Sequence, residues 1–223
     1  MDLTSIKDKS TIEIKRWICI YPGRFQIFSP HHYKNYQYLC SVFGNNNVYI
    51  ATTDKVENPN SPLNFQQKKI VIQKYDIDPG RICKVKSPFS PHEITGAFDS
   101  NTVAVFLAMG EKDDGRIKFQ KIDGSSAYIQ QIDDSTIIYP FKHNQYIYNL
   151  PNVEINIPGF GVMSGTNIRK MILNSSPNFI QNILGWYDEN VINMVKSSIQ
   201  KMDESISLTD CTPTDFIKPI YLL

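Results

Sequence analysis

The sequence feature that most constrains the fold is a repeated alternation between short apolar, β-branched runs and segments with a helical pattern. Ser-Pro pairs suit helix starts, because Ser accepts hydrogen bonds from free backbone N–H groups and Pro has no N–H to leave unpaired. Four pairs are the predicted helix starts: Ser29-Pro30, Ser61-Pro62, Ser90-Pro91 and Ser176-Pro177. Because the apolar runs do not alternate with polar residues, they favour a parallel sheet covered on both faces.

Five apolar runs are predicted to form one parallel sheet: residues 17–21, 48–52, 82–85, 103–109 and 153–157. Helices are expected from Pro30 to Gly44, from about Leu63 to Lys74, from Ser164 onwards and across residues 191–202, where apolar residues recur at helical spacing. Residues 127–132 and 136–139 are interpreted as a β-hairpin within an insertion at about residues 116–150.

Composition argues against several classes of protein. Lys and Arg number 23 against 22 Asp and Glu, a balance that does not favour a nucleic-acid or anionic-membrane partner. The longest apolar run, Val103 to Met109, is far shorter than a membrane helix, and the N-terminus lacks the pattern of a signal peptide. The four scattered cysteines form no C-x-x-C pair, so structural zinc is not indicated. We expect a soluble, cytoplasmic protein.

Two loops are candidate ligand sites, because open parallel sheets bind ligands where strands lead into helix N-termini. The first, residues 23–32, places His31 and His32 in the first turn of a helix. The second, residues 159–169, places hydroxyls at a helix start and Arg169 one turn further on. Free N–H groups, imidazole donors and a guanidinium together favour an anion such as phosphate.

The same residues resemble the motifs of the nucleotidylyltransferase superfamily. Gly23-Arg24-Phe25-Gln26 followed by His32 is similar to G-R-F-Q-P-F-H-x-G-H, and residues 164–169, SGTNIR, are similar to I-S-x-T-x-I-R. Residues 110–116, GEKDDGR, resemble the family's G-x-K-D nucleotide loop, and residues 60–68 resemble its N-P-x-x-F-x-x-K/R segment. The pattern is most similar to small stand-alone members encoded by large tailed phages, which would place the protein in the host cytoplasm.

This resemblance implies an α/β fold: a Rossmann-like, doubly wound, five-stranded parallel sheet with helices on both faces, a β-hairpin insertion and a C-terminal helical extension. Residues 1–175 would form the nucleotidylyltransferase-like domain, and residues 176–223 the helical extension and tail. A homo-oligomer is compatible with this organisation.

The function implied is transfer of NMP from an NTP, ATP or CTP, to a small phosphorylated acceptor, with release of diphosphate. Mg²⁺, bound mainly through the NTP phosphates, is the implied cofactor, and neither a nucleic acid nor a membrane is an implied partner. The resemblance assigns catalytic roles to His32, Ser29 and Arg169. It assigns nucleotide binding to a larger set: Gly23, Arg24, Phe25, Gln26, His31, Lys55, Gly110, Lys112, Asp113, Arg116, Ser164, Gly165 and Thr166.

The chain departs from the motif at two site positions. Ser29 stands where the family has His or Thr, and His31 replaces the Gly of H-x-G-H. If the enzyme is active, His31 is expected to turn out of the nucleotide pocket, since adjacent residues of a helical turn point about 100° apart. The alternative is a catalytically drifted member that acts as a nucleotide-binding or structural protein. A dinucleotide-dependent oxidoreductase fits the sheet but lacks G-x-G-x-x-G after the first strand.

Overall fold

The structure, a computed structural model, describes residues 10, 14–57, 61–110, 117, 119–121, 125, 127–133 and 135–209, with side chains described up to residue 201. Six strands form one parallel sheet in the order β3-β2-β1-β4-β6-β5. They are β1 (Arg16–Pro22), β2 (Val48–Thr52), β3 (Ile82–Lys84), β4 (Val103–Met109), β5 (Ile129–Gln130) and β6 (Gln145–Asn149). The chain winds outward from β1 to β3 and then crosses back to β4, so the fold is doubly wound.

Six α-helices lie among the described residues: α1 (Pro30–Phe43), α2 (Phe65–Gln73), α3 (His92–Thr95), α4 (Gly165–Asn174), α5 (Pro177–Leu184) and α6 (Glu189–Thr209). A separate two-stranded antiparallel sheet pairs β7 (Asn156–Ile157) with β8 (Gly161–Val162).

The two faces of the sheet bury two different apolar clusters. On β1, Cys19 and Tyr21 belong to one cluster, while Ile18 and Ile20 belong to the other. This division follows the period-two alternation of a strand, and both sets are apolar because both faces are covered. Side chains of α4, α5 and α6 join the same cluster as Cys19, so they pack on one face. The predicted Rossmann-like architecture is therefore confirmed, with six strands rather than five.

The predicted β-hairpin is wrong. Ile129–Gln130 pairs in parallel with β6, and residues 136–139 form no strand. The fifth core strand is β6, which pairs with β4 through Phe106 opposite Tyr146. Its sequence, QYIYN, lacks the continuous apolar pattern of a buried strand, because its two tyrosines carry polar hydroxyls. The structure pairs both hydroxyls. That of Tyr146 donates to the Ile137 carbonyl and accepts from the Tyr139 N–H, and that of Tyr148 lies 3.1 Å from the Tyr38 hydroxyl.

The predicted strand at residues 153–157 is also wrong as a member of the parallel sheet. Only its last two residues form a strand, and this strand pairs with β8 across a short turn. Gly159 and Gly161 adopt φ values of 78° and 81°, which side-chain-bearing residues rarely adopt. Glu154 and Asn156 are exposed, so the segment alternates polar and apolar residues and does not suit a strand buried on both faces.

Ser-Pro pairs predict the start of one helix correctly and the start of another too early. Ser176 caps α5 by accepting from the Phe179 N–H, as expected. After Ser61-Pro62, however, α2 begins only at Phe65, because Asn64 and Gln67 form a reciprocal capping box there. The side-chain oxygen of Asn64 accepts from the Gln67 N–H at 3.0 Å, and the Gln67 side chain accepts from the Asn64 N–H at 2.9 Å.

Lys68 on α2 is a fully buried cation that supports the loop after β2. Its ammonium group donates to the Thr53 carbonyl at 2.6 Å. Burial lowers the pKa of Lys68 to about 8, and nearby Asp54 partly opposes that shift. The Asp54 carboxylate in turn accepts from the Phe65 N–H at the start of α2. Two hydrogen bonds, one donated by Lys68 and one accepted by Asp54, therefore join the loop that follows β2 to α2.

Phe106 should be a major source of stability. The side chain is fully buried in the centre of the sheet, between the rings of Trp17, Phe43 and Tyr146. We expect Phe106→Ala to lower the free energy of unfolding in urea by about 3–5 kcal/mol through lost burial and a cavity. Ile70→Ala, at a side chain 40% exposed on α2, should change it by less than about 0.5 kcal/mol. Equal effects of the two changes would contradict this packing.

The buried Lys68 should make stability depend on pH. Between its folded pKa of about 8 and its ordinary value of 10.5, the unfolded chain binds more protons than the folded chain. The free energy of unfolding should therefore rise with pH across this window. In Lys68→Met that rise should be smaller than in the wild type by roughly 2 kcal/mol, measured by urea unfolding at several pH values. Lys69→Met, the neighbouring change, should retain the wild-type rise; a wild-type slope in Lys68→Met would show that Lys68 keeps its ordinary pKa.

Candidate active site

The site lies at the carboxyl edge of the sheet, between β1 and β4, where the strand order reverses. Two adjoining cavities open there, which we call cavity A and cavity B. Cavity A has a volume of about 260 Å³ and is lined by Arg24, Gln26, Ile27, His32, Ser164, Gly165, Thr166 and Arg169. Cavity B has a volume of about 320 Å³ and is lined by Tyr21, Pro22, Gly23, Arg24, Phe25, His31, His32, Asn35, Phe89, Gly110, Leu150, Pro151, Asn152, Val153, Glu154, Val162 and Met163. Arg24 and His32 border both cavities.

The loop after β1 has a tightly packed backbone. Phe25 adopts a φ of 41°, an unusual value for a residue with a side chain. Its ring lies over Gly23, where an added Cβ would come within 2.5 Å of the ring. The rings of Tyr21, Phe28 and His32 all contact Phe25, at centroid distances of 5.1 to 5.5 Å, and these contacts restrict the movement of the Phe25 ring away from position 23. Gly at position 23 is therefore a packing requirement of this loop.

Gln26 connects this loop to the segment before α2. Its side-chain oxygen accepts from the Leu63 N–H at 2.9 Å. Its Nε2 is buried and has no hydrogen-bond partner among the described residues. Because Gln26 also lines cavity A, a ligand with acceptor oxygens would complement this unpaired donor.

Ser29 precedes α1 but does not cap it. The residue is fully buried and extended, with φ −146° and ψ 171°, and its side chain makes no capping hydrogen bond. Its hydroxyl instead lies 3.0 Å from Nδ1 of His31 and 2.9 Å from Nδ1 of His32. The two imidazole rings lie side by side, with centroids 3.8 Å apart. Ser29 thus holds both rings at the start of the helix.

His32 faces the boundary of the two cavities as a neutral ring. Burial lowers its pKa well below the ordinary value, and the neighbouring His31 lowers it further. The ring packs against Phe28 and meets the edge of Phe25. At physiological pH it can therefore donate one N–H to a ligand without carrying a charge.

His31 does not turn away from the site. It lines cavity B, whereas His32 lines both cavities. The expected 100° divergence of the side chains is overridden because both rings turn toward the Ser29 hydroxyl.

The second wall of cavity A is the N-terminus of α4. Ser164 caps this helix by accepting from the Asn167 N–H at 3.2 Å. One turn into the helix, half-buried Arg169 donates to the Thr166 hydroxyl at 3.3 Å. Free N–H groups, a guanidinium and a hydroxyl therefore face the same space from one helix end.

The charged groups on the described walls of cavity A are all positive. Arg24 and Arg169 carry positive charge, the N-terminus of α4 adds a partial positive charge, and no carboxylate is among the described residues that line it. Such a cavity is suited to a polyanion. Cavity B is mixed, with aromatic and apolar walls and a few polar groups, which suits an organic group that carries hydrogen-bonding atoms.

Most predicted site residues meet at these cavities, and the others fall into three groups. Ser29 lies behind the two histidines rather than on a cavity wall. Lys55 is exposed, forms an ion pair with Glu57 and lines neither cavity. Lys112, Asp113 and Arg116 lie outside the described residues.

Sequence reasoning missed some cavity-wall residues. Asn35 on α1 lines cavity B, and its Oδ1 is buried without a hydrogen-bond partner among the described residues. The residues after β6, including Glu154, form another wall of cavity B. Asn35 lies one turn after His32, a spacing that identifies it as a neighbour on the same helix face once α1 is recognised. No sequence pattern pointed to the residues after β6, because β6 itself was not predicted as a strand.

A larger cavity of about 500 Å³ lies at the opposite edge of the sheet. Its walls come from α1 and from the segments before β2 and β3, and they include Tyr36, Cys40 and Arg81. None of the predicted site residues within the described part of the chain lines it. Size alone therefore does not identify the site.

Two kinds of feature are absent from the described residues. No group of three or more His, Cys, Asp or Glu side chains there is arranged to hold a metal ion. No helix in the described ranges combines the length and the apolarity that crossing a membrane requires.

Comparison with known proteins relates the fold to solved structures. The sequence matches no protein-family model and no curated protein. Nicotinic acid mononucleotide adenylyltransferase of Plasmodium falciparum, complexed with NaAD, aligns over 84% of this chain and 98% of its own, with 16% identity and a TM-score of 0.47. The bifunctional NMN adenylyltransferase/ADP ribose pyrophosphatase of Francisella tularensis aligns over 92% of this chain, with 15% identity and a TM-score of 0.51.

The Francisella protein has also been solved complexed with AMP and a manganese ion, and that structure has a TM-score of 0.50 to this chain at 15% identity, over 92% of this chain. This chain spans 58% of the length of the Francisella protein in both structures. Its structural neighbours are thus adenylyltransferases of NMN or nicotinic acid mononucleotide, at low sequence identity, and the chain shares the α/β fold of the Francisella protein.

Proposed function

We propose that the protein is a nucleotidyltransferase that transfers NMP from an NTP to a small phosphorylated acceptor and releases diphosphate. The observation that carries the proposal is the meeting of His32, Thr166 and Arg169 on one cavity, although they come from opposite ends of the sheet domain. All three are donors to phosphate oxygens. They lie at the reversal point of a doubly wound sheet, where such folds bind nucleotides.

Cavity A holds the β- and γ-phosphates in this proposal. Arg24, Arg169 and the N-terminus of α4 offset the charge of the triphosphate, and more strongly that of the departing diphosphate. The unpaired Nε2 of Gln26 supplies a further donor at this wall. Interactions that strengthen as the diphosphate leaves lower the barrier rather than merely tighten binding.

Cavity B holds the nucleoside and the acceptor. Because His32 borders both cavities, the α-phosphorus lies at their junction, beside this ring. An acceptor phosphate oxygen forms the new bond to the α-phosphorus, and the bond from that phosphorus to the bridging oxygen breaks, so diphosphate leaves with the electron pair. The attacking oxygen is already anionic, and positioning and charge stabilisation therefore suffice without a side-chain nucleophile.

In this proposal, Mg²⁺ is bound mainly by the phosphates of the NTP. The walls of cavity A offer imidazole, hydroxyl and guanidinium donors, which fit phosphate oxygens rather than a metal ion. The described residues contain no metal-ligating cluster, so we assign no protein ligand to the ion. When bound, Mg²⁺ would neutralise part of the phosphate charge.

ATP is the first NTP to test, and CTP the second. The Francisella neighbour is an NMN adenylyltransferase/ADP ribose pyrophosphatase that was solved with AMP, which supports an adenylyl donor and makes NMN the first acceptor to test. The unpaired Oδ1 of Asn35 in cavity B would accept from an N–H or O–H group of either substrate. The cytoplasmic location, with the host cytoplasm as the setting for a phage protein, stays a prediction.

A second candidate function is that of a nucleotide-binding protein without transferase activity. The observation that favours it is the position of His31, whose ring occupies the wall of cavity B where the family motif has Gly. Such a ring narrows the space for the nucleoside. This candidate predicts nucleotide binding without release of diphosphate from any acceptor.

Binding of MgATP should require Arg169. A ligand that binds only the folded protein stabilises it by about 2.7 kcal/mol at a hundredfold excess over its dissociation constant, so MgATP should raise the melting temperature. Arg169→Ala should abolish most of that rise. Lys170→Ala removes the exposed neighbouring cation, which lines neither cavity, and should retain it. A full thermal shift in Arg169→Ala would place the nucleotide elsewhere.

His32 should be needed for turnover. With ATP and NMN, or with CTP and pooled phosphorylated acceptors, we expect continuous release of diphosphate. His32→Ala should reduce that rate by roughly 10² or more, the scale found when one positioned charge-stabilising donor is removed. His92→Ala changes an exposed histidine of α3 that lines neither cavity, so it is the matched control and should leave the rate unchanged. Nucleotide binding without diphosphate release from any pair of substrates would favour the second candidate.

A further inference from the structure

The Ser29 hydroxyl contacts two ring nitrogens but carries one proton. Its oxygen lies 3.0 Å from Nδ1 of His31 and 2.9 Å from Nδ1 of His32. If both rings are neutral, the hydroxyl donates to one Nδ1 and can accept only from an Nδ1 that carries a proton. Two good hydrogen bonds therefore require that one ring is protonated at Nδ1 and the other at Nε2.

The surroundings of His32 hold this ring neutral. Burial and the proximity of the two rings keep the pKa of His32 well below its ordinary value. The stacked Phe28 ring and the Phe25 edge surround His32 with apolar surface. A doubly protonated pair, which would remove the need for opposite tautomers, is strongly disfavoured when the rings lie 3.8 Å apart.

Ser29 does not use its hydroxyl to cap the helix that it precedes. The helix that it precedes begins with Pro30, and the Ser29 side chain makes no capping bond. Ser164 and Ser176, at the starts of α4 and α5, both accept from a backbone N–H of the following turn. Ser29 is fully buried, so its hydroxyl does not exchange partners with bulk water. The hydroxyl of a serine at a helix-capping position thus contacts two imidazoles instead of the helix backbone.

We propose that Ser29 is a positioning residue that couples the tautomers of His31 and His32 in opposite senses. Its use in catalysis rests on the proposed function: a phosphate oxygen on Nε2 of His32 requires a proton there. Nδ1 of His32 must then accept from the Ser29 O–H, and Nδ1–H of His31 must donate to the Ser29 oxygen. His31 therefore acts through Ser29 as the partner that fixes the proton of His32, a role that Gly at its position cannot perform.

The test is the tautomeric state of each histidine, read from ¹⁵N NMR of the full-length, histidine-labelled protein without a ligand. The sequence has only 4 histidines, which simplifies assignment. In the wild type, one ring of the His31–His32 pair should be the Nδ1–H tautomer and the other the Nε2–H tautomer. In Ser29→Ala, both rings should shift toward the Nε2–H form that free histidine prefers, whereas Ser29→Thr, which keeps the hydroxyl, should retain the opposite pair.

Ser176→Ala is the matched control, because it removes the hydroxyl of another Ser-Pro helix start and should leave both tautomers unchanged. Added MgATP should leave His32 in the Nε2–H form in the wild type and should bind about fivefold more weakly to Ser29→Ala, the effect of one lost hydrogen bond. Identical tautomers in the wild-type pair would overturn the coupling even if Ser29→Ala fails to fold.

The outcomes separate this proposal from the proposed function. Opposite tautomers that depend on Ser29, in a protein that binds no NTP, would support the coupling and contradict the nucleotidyltransferase. Opposite tautomers that persist in Ser29→Ala would show that another group sets them and would overturn the role of Ser29. Identical tautomers in a protein that releases diphosphate would contradict the coupling alone.

Discussion

The parallel pairing of β1 with β4 is the constraint on which the site depends. Because the chain crosses back between these strands, the loops after them open at the same edge, and β6 adds a third loop beside them. The α1 and α4 N-termini then face one space, along with Arg24 and Arg169. The positive helix N-termini and the two arginines repel one another when no anion is bound. A bound polyanion would therefore reduce an electrostatic repulsion that the fold itself creates.

Hydrogen bonds of buried polar side chains hold this edge in place. Gln26 ties the loop after β1 to the start of α2, and Lys68 ties α2 to the loop after β2. Behind the site, the Ser29 hydroxyl orients two neutral imidazoles. Each group is buried and costs free energy unless it is paired, which restricts the loops to few arrangements. The geometry of cavity A therefore follows from contacts made outside it.

The sequence predicted β1 to β4 and both loops that line cavity A, because continuous apolar runs and helix-start residues are local signals. It failed at β6, where tyrosine hydroxyls bond to distant backbone, and at residues 153–157, where alternating exposure marks a hairpin strand. Ser29 and Ser164 both precede helices, yet one contacts rings and the other caps. The rings of Phe25 and Phe28 pack against His32 beside the Ser29 hydroxyl, and the Ser-Pro pair does not reveal this contact.

The most direct test of the central claim is a crystal structure of the protein with Mg²⁺ and a non-hydrolysable ATP analogue. The account predicts the β- and γ-phosphates in cavity A, within hydrogen-bond distance of Arg169 and the first N–H groups of α4, with His32 beside the α-phosphate and the nucleoside in cavity B. Phosphates bound at the opposite edge of the sheet, in the larger cavity beside Tyr36 and Arg81, would contradict it.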